Sequence, residues 1–486
     1  MKKMIIYLAA AYLLSGMLPA AARVSPIPER QKTENAAVTA DTAGRYGGPA
    51  GPWTGKIDTG VFSLNLTFNL PEGENGGRCT LDSPDQGVKG LEATMMEYPG
   101  DSVSVSVPDI GAHYAGKITR DDNGTPVRID GVFTQAGASL PLVLEPGTAV
   151  QERPQTPVPP FPYKTEEVTF RNGDVTLSGT LTLPEGYTEK DNGNVPVVLM
   201  VTGSGQQNRD EEIFGHKPFA VIADWFAKNG IASLRYDDRG TGASGGDGTS
   251  VTVYSNMEDA KAGLEYLESL GIFGKTGVLG HSEGGLIAFM LAGMHKTDFI
   301  ISLAGPAVSG RQIIVEQNRR IFPMLGIPEA VADDYCTILD KMYEYKLSGN
   351  NDVGPDVSRL IMSLEILNGV TLPEDMRKNL ESVFSTENPW FDSFIAIDPG
   401  KYIKEITCPV FAAIGSLDTQ VIAGTNLAVL REMLGKDPRN AIMEYEGLNH
   451  LFQHCRTGNP AEYPGITWTF SEEVLSDIVE WMGGHI

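Results

Sequence analysis

The stretch Lys275-Thr-Gly-Val-Leu-Gly-His-Ser-Glu-Gly-Gly-Leu-Ile-Ala-Phe289 constrains the fold more than any other part of the chain. A short apolar run, Val278 and Leu279, passes into Gly280-His281-Ser282-Glu283-Gly284. A helical pattern of Leu286, Ile287, Phe289 and Met290 follows at once. This is strand, sharp turn and helix with a serine at the tip, the Gly-x-Ser-x-Gly arrangement that exposes a hydroxyl for nucleophilic attack. The flanking glycines remove side chains that would collide across so tight a turn. The pentapeptide alone is weak evidence in a chain with 55 glycines, and a second copy occurs at Gly242-Ala243-Ser244-Gly245-Gly246. That copy runs into Asp247-Gly248-Thr249-Ser250, a loop composition that cannot open a helix. Ser282 is the expected nucleophile, and Ser244 is not.

The elbow sits within alternating strands and helices. Glu167–Phe170 and Thr176–Leu183 read as an opening hairpin pair, and Val195–Val201 is a near-continuous apolar run typical of a strand buried on both faces. Phe219–Lys228 is an amphipathic helix ending at Asn229-Gly230. Strand Ile231–Tyr236, helix Met257–Leu270, strands Phe299–Leu303, Val410–Ile414 and Ala441–Tyr445, and helix Glu472–Met482 complete the series. Such alternation predicts an α/β fold, a mainly parallel sheet with helices on both faces, over residues 164–486. One interval breaks it. From about 306 to 406 the pattern is helical, with expected helices at Arg311–Ile321, Ala330–Tyr345, Val357–Leu367 and Met376–Phe384. An insertion of this size after a strand reads as a cap, and its Met324, Tyr335, Tyr343, Phe384, Trp390 and Phe391 either line a pocket or form the cap's own core.

Ahead of this domain, residues 51–146 alternate apolar and polar positions, as in Val61–Leu70 and Ser102–Val107, with turn clusters at Glu72–Gly77 and Asp121–Gly124. They predict a separate all-β domain, a sandwich or small barrel. Its His113 is expected to be structural. Residues 147–163 are proline-rich and read as a stiff extended linker. Residues 23–50 read as a flexible leader. Residues 1–22 have the form of a signal peptide: Lys2 and Lys3, an apolar run from Met4 to Leu18, then Ala20-Ala21-Ala22. The run is short for a bilayer span and no cysteine follows it for lipid attachment. A periplasmic or secreted protein, with no integral membrane segment after cleavage, is expected. The net charge of −24 argues against nucleic acid and anionic membranes as partners. Cys79, Cys336, Cys408 and Cys455 allow three pairings or buried free thiols, and their spacing does not resemble a zinc site.

A serine hydroxyl needs a base to take its proton and a carboxylate to orient that base. In this strand order the acid and then the histidine follow the serine. His450, in Glu446-Gly-Leu-Asn-His-Leu-Phe452 after the last strand, is the expected base; His454 is the runner-up and His485 lies at the C-terminus. Asp418, the first carboxylate after strand Val410–Ile414, is the expected acid. The oxyanion of the tetrahedral intermediate needs backbone donors. Glu283 N–H is one; the other is assigned to Ser204 in Thr202-Gly203-Ser204-Gly205, with Gly205 as fallback. Arg209 and Asp210 either contact a polar substrate or pair with other charges. The mechanism calls for no metal and no organic cofactor.

Gly203-Ser-Gly-Gln-Gln-Asn-Arg-Asp210, His216-Lys-Pro-Phe219, Arg235-Tyr-Asp-Asp-Arg-Gly-Thr-Gly-Ala-Ser244, Asn388-Pro-Trp-Phe391, Asp418-Thr-Gln-Val421 and Gly447-Leu-Asn-His-Leu-Phe452 form an ordered set with the elbow. With these segments the chain resembles secreted bacterial serine hydrolases of the α/β-hydrolase superfamily with an inserted helical cap. The resemblance spans about 167–486 and implies that fold, with Ser282, Asp418 and His450 as the triad. The Ser244 loop looks like the family's structural Asp-Arg-Gly-x-Gly-x-Ser turn. The chain departs from the common pattern at Thr202, where many members have histidine. The expected activity is hydrolysis of small acyl or aryl esters through an acyl-serine. A peptidase, amidase or thioesterase is the alternative, although about 100 residues are too few for the β-propeller that precedes many such peptidases. A carbohydrate- or envelope-binding protein with a vestigial hydrolase is a third reading, against which the complete Ser, Asp and His set argues.

Overall fold

The computed structural model describes residues 48–58, 63–71, 77–84, 88–98, 101–135, 138–148, 153–349, 357–385 and 387–486. The expected signal peptide, and the leader up to residue 47, lie outside them. The chain divides into two compact units, the second taking over at Arg153.

In the first unit, eight antiparallel strands follow one another around a closed barrel: β1 (Gly51–Asp58), β2 (Ser63–Leu70), β3 (Gly77–Ser83), β4 (Val88–Tyr98), β5 (Ser102–Val107), β6 (Ala112–Arg120), β7 (Pro126–Gln135) and β8 (Ala138–Pro146). Trp53 and Thr54 of β1 pair with Pro146 and Glu145 of β8, which closes the ring and leaves no open sheet edge. Alternation sends Phe68, Tyr114, Ile129, Leu142 and Leu144 inward, and all five are fully buried. The Tyr114 hydroxyl donates to the Ile129 and Leu142 carbonyls at 3.1 and 3.2 Å, so the filled interior satisfies its own polar atom. The Ser104 hydroxyl and His113 Nε2 are 2.8 Å apart across β5 and β6.

The second unit is built on an eight-stranded sheet: β9 (Thr165–Asn172), β10 (Val175–Thr182), β11 (Val197–Val201), β12 (Ala232–Tyr236), β13 (Thr276–His281), β14 (Phe299–Leu303), β15 (Val410–Gly415) and β16 (Ala441–Tyr445). Its spatial order is β16-β15-β14-β13-β11-β12-β10-β9. The strands from β11 to β16 are parallel to their neighbours, whereas β10 runs antiparallel to β12 and to β9. The chain leaves β11 to one side for β12 and returns to the other side for β13. That reversal opens a crevice at the carboxyl ends of the strands, where ligands bind in open α/β sheets. The helices α1 (Pro218–Lys228), α2 (Val253–Leu270) and α3 (Glu283–Gly293) connect these strands. Apolar clusters cover both faces, one around Leu199, Leu286 and Ile300 and the other around Val198, Phe219 and Leu475.

Between β14 and β15 lie α4 (Gly310–Met324), α5 (Glu329–Leu347), α6 (Val357–Asn368), α7 (Glu374–Ser385), α8 (Pro389–Ala396) and α9 (Gly400–Ile403). The first four overlap the four helices expected there. Tyr335 and Tyr343 are buried among Phe322, Phe384 and Phe391, so these aromatics form the insertion's own core. The helices α10 (Ala423–Leu434) and α11 (Glu472–His485) finish the unit. Within the proline-rich segment, Arg153 and Gln155 are tied to the second unit. The Arg153 guanidinium donates to the carbonyls of Phe214, Pro464 and Ile466, and Gln155 binds the main chain of Thr469 and Phe470. All four cysteines are free, with Cys79 and Cys336 buried.

Candidate active site

Ser282 follows β13 in left-handed backbone, φ 54° and ψ −115°, and caps the start of α3. Two glycines show why the turn can be this sharp. A Cβ on Gly280 would lie 1.9 Å from the Gly284 carbonyl oxygen, and one on Gly284 would lie 2.0 Å from that of Val201. Ser282 N–H is fixed by the Leu303 carbonyl of β14 at 2.8 Å.

Asp418 and His450 come together from the loops after β15 and β16. The His450 Nδ1 and Asp418 Oδ2 are 2.7 Å apart, and both residues are buried. The other carboxylate oxygen accepts the N–H groups of Gln420 and Val421 at 2.8 and 2.9 Å, which fixes the acid and turns Oδ2 to the ring. Asn449, fully buried, holds the histidine loop by accepting the N–H groups of Leu451 and Gln453. The His450 ring lies 4.8 Å from that of His281, the residue before Ser282, and His281 Nε2 is 2.9 Å from the His450 carbonyl oxygen. Ser282, Asp418 and His450 are thus gathered at one end of the sheet. His454 is exposed and His485 ends α11, away from this group in the chain's own packing.

The loop after β11 passes close to the serine: a Cβ on Gly203 would lie 3.4 Å from Ser282 Cβ. Gly203 N–H is taken by Glu211 Oε1 at 2.7 Å. Among the described residues the next amide along, Ser204, has no acceptor, and neither has that of Glu283 at the first position of α3. The Thr202 hydroxyl donates to Asp238 at 2.8 Å, and Asp238 also accepts Gln207 N–H, so one carboxylate anchors both ends of the loop. Burial raises the Asp238 pKa well above the ordinary carboxylate range; the bonds from Gln207 and Thr202 act against that, and the Glu283 and Glu211 charges add to it.

The Glu283 side chain leaves the elbow for a buried polar niche. Oε1 accepts Asn256 Nδ2 at 3.0 Å and Oε2 accepts the Trp390 indole N–H at 2.6 Å, so α8 of the helical insertion is bonded to the first residue after the serine. Burial pushes the Glu283 carboxyl up to about 7, against the pull of these two donors. A small cavity beside it is lined by Thr202, Gly203, Asp238, Asn256 and Glu283.

The other candidates have structural partners. Ser244 Oγ donates to the Asp237 carbonyl at 2.6 Å and accepts Ser178 N–H at 2.9 Å, which locks its glycine-rich turn onto β10. Arg209 binds Asp237, Glu167, Thr180 and Ser178, and Asp210 pairs with Arg235 and Lys217. Their charges are engaged within the fold, so the substrate-contact alternative gives way to ion pairing. Glu211, Asp238 and His281 were not singled out from the sequence. His281 lies inside the elbow motif and Asp238 opens the Asp-Arg-Gly-x-Gly-x-Ser turn, whereas Glu211 carried no such signal. Among the described residues no group of three His, Cys, Asp or Glu is arranged to hold a metal, and no helix is long and apolar enough to cross a membrane.

A sheet of this order with a serine on a strained strand-to-helix turn is the arrangement of the α/β-hydrolase fold. A family model described as serine aminopeptidase, S33, matches residues 217–336. The chain is 26% identical over 327 residues to the esterase EstD of Thermotoga maritima, a match covering 66% of this chain and 70% of that protein. Solved structures similar to it include the Pyrococcus furiosus esterase Pf2001, at 18% identity and TM-score 0.41 over 70% of this chain and 99% of that one. Est1E of Butyrivibrio proteoclasticus with ferulic acid bound is another, at 16% identity and TM-score 0.39 over 65% and 98%. The family match and the EstD relative support a serine hydrolase and, in general terms, ester hydrolysis.

Proposed function

We propose that this protein is an exported carboxylic-ester hydrolase in which Ser282, His450 and Asp418 form the catalytic triad. The observation that carries the reading is the buried Asp418–His450 bond beside the strained Ser282 turn. His450 Nε2 takes the Ser282 proton as Oγ attacks the ester carbonyl, then returns it to the departing alkoxide. Water repeats the sequence on the acyl-serine. Asp418 keeps the proton of His450 on Nδ1 and stabilises the imidazolium. The N–H groups of Glu283 and Ser204 receive the oxyanion. The helices between β14 and β15 act as a cap over the acyl site, and the N-terminal signal sends the chain to the periplasm or beyond.

The name of the EstD relative favours an ester substrate, whereas the description of the matched family favours an aminoacyl amide. Turnover of p-nitrophenyl esters of rising acyl length, beside aminoacyl p-nitroanilides, separates them. Esterase activity that falls by roughly 10⁶-fold in Ser282→Ala is expected. Anilide turnover with little ester turnover would move the protein to the peptidase class, and activity retained by Ser282→Ala would refute the nucleophile.

A further inference from the structure

The mechanism above leaves one buried ionisable couple without a role. Glu211 and His281 are 4% and 6% exposed, and their side chains meet at 2.9 Å between Oε1 and Nδ1. The other ring nitrogen, Nε2, is 2.9 Å from the His450 carbonyl oxygen. A carbonyl oxygen only accepts, so Nε2 carries a hydrogen. Glu211 Oε1 meanwhile accepts Gly203 N–H. Glu211 itself is held in left-handed backbone, φ 51°, an unfavourable conformation for a glutamate that the surrounding contacts must maintain.

We propose that Glu211 and His281 are positioning residues of the hydrolytic site, an ion pair that sets three catalytic segments relative to one another. The proposal rests on the assignment of Ser282, Asp418 and His450 made above. The three segments are the loop after β11, which supplies the Ser204 donor, the end of β13, which supplies Ser282, and the loop after β16, which supplies His450. Each also has an anchor of its own: Asp238, after β12, holds both ends of the first, Leu303 of β14 the second and Asn449 the third. The Glu211–His281 couple is bonded to all three at once. By taking Gly203 N–H it also leaves the following amide, Ser204, to face the reacting carbonyl.

The charge state follows from the same contacts. Burial alone would lower the His281 pKa, but the Glu211 carboxylate, its hydrogen bond and the bond to the His450 carbonyl outweigh burial and raise it, with Asp418 adding to the effect. Both ring nitrogens face acceptors, Glu211 Oε1 and the His450 carbonyl, the arrangement that suits an imidazolium donating at both ends. An amide at 211 cannot keep this arrangement. If its oxygen accepts from both Gly203 and His281, a buried cation is left without a counter-charge. If His281 becomes neutral, the amide must turn its NH2 to Nδ1, and Gly203 N–H loses its acceptor. Either the counter-charge or one hydrogen bond is lost, at little change in volume.

The test is Glu211→Gln in the full chain, with active sites counted by a fluorophosphonate probe that reacts with activated serines. Expected is a folded variant whose kcat per site and phosphonylation rate at Ser282 both fall about 10²-fold, the size of effect a misplacement near 1 Å produces, with KM little changed. Ring ¹⁵N NMR of wild type, assigned by the signals missing in His281→Gln, should show both His281 nitrogens protonated up to a higher pH than in an ordinary imidazole. An unchanged kcat and phosphonylation rate would overturn the positioning role, as would a rise in KM alone. A neutral His281 ring would overturn the ion pair, and that measurement decides even if Glu211→Gln fails to fold. Wild type that neither labels at Ser282 nor cleaves esters would sink the triad assignment instead, a result distinct from all of these.

Discussion

Glu283→Gln should flatten part of the pH dependence of folding stability. The Glu283 carboxyl, ordinarily near 4.5, is pushed up to about 7 in the folded protein because it is buried, while Asn256 and Trp390 donate to it. A raised carboxylate pKa means that the folded state keeps a proton which the unfolded chain has already released. Folding is therefore favoured below pH 4.5, weakens as pH rises to about 7, and stays weaker above. At ~1.4 kcal/mol per pH unit this interval corresponds to roughly 3.5 kcal/mol, of which about 2.5 kcal/mol falls between pH 5 and pH 8. Glutamine has no such slope. It can still accept from the Trp390 indole, and the Asn256 amide can turn to accept from its NH2, so both contacts survive the substitution. Urea unfolding of wild type and variant at pH 5 and pH 8, followed by tryptophan fluorescence, gives the difference directly. Four of the five tryptophans, at 225, 390, 468 and 481, lie in the hydrolase unit and report on it. Subtracting the variant's pH effect from that of wild type cancels the other titrating groups. A remainder below about 1 kcal/mol would show that Glu283 is not a buried acid of raised pKa, and the account of the niche would be wrong.

Two substitutions test the neighbouring assignments. Asp418→Asn should lower kcat on the best p-nitrophenyl ester by about 10⁴-fold, because an amide turned toward Nδ1 selects the wrong His450 tautomer; a loss under tenfold would remove Asp418 from the triad. Arg209→Ala should cost about 2 kcal/mol in urea unfolding, the scale of a broken, partly solvated ion pair, and leave KM unchanged. A raised KM at unaltered stability would return Arg209 to the substrate.

What the sequence made legible follows from where burial is dictated locally. Val197–Val201 is apolar at every position because a central parallel strand meets helices on both faces, so it could be read as a strand without its partners. The elbow could be read because its glycines answer contacts within a few residues of Ser282, apart from the approach of Val201. Barrel closure could not, since sandwich and barrel strands share one alternation and only the β1–β8 pairing separates them. Nor could Glu211. Asn208-Arg-Asp-Glu-Glu212 has the composition of a solvated loop, and its fourth residue is buried by contacts with Gly203 and His281, the latter 70 positions away. Arg209 likewise finds Glu167 and Asp237, 42 and 28 residues distant, where composition offered a substrate anion as readily.

The strain in the hydrolase unit has a pattern. Among the described residues of this unit six non-glycine residues have left-handed backbone; Glu211, Phe214, Ser282, Ala304 and Phe452 lie just after a strand or in the loop that follows one, and His295 follows α3. Such conformations persist only where surrounding bonds over-determine them. Ser282 N–H is taken by Leu303, Ala304 N–H by Ala413 and Phe452 N–H by Asn449, so every one of these three turns is held by a main-chain acceptor. Five buried ionisable groups, Glu211, His281, Glu283, Asp418 and His450, collect at the same strand ends, while Asp259 and Glu365 are buried on helices. The two apolar clusters on the sheet faces contain none of them and supply stability by burial. Stability and reactivity are thus sited apart: the faces favour folding strongly enough for the strand ends to hold a serine, an acid and an imidazole in geometries that, taken alone, oppose it.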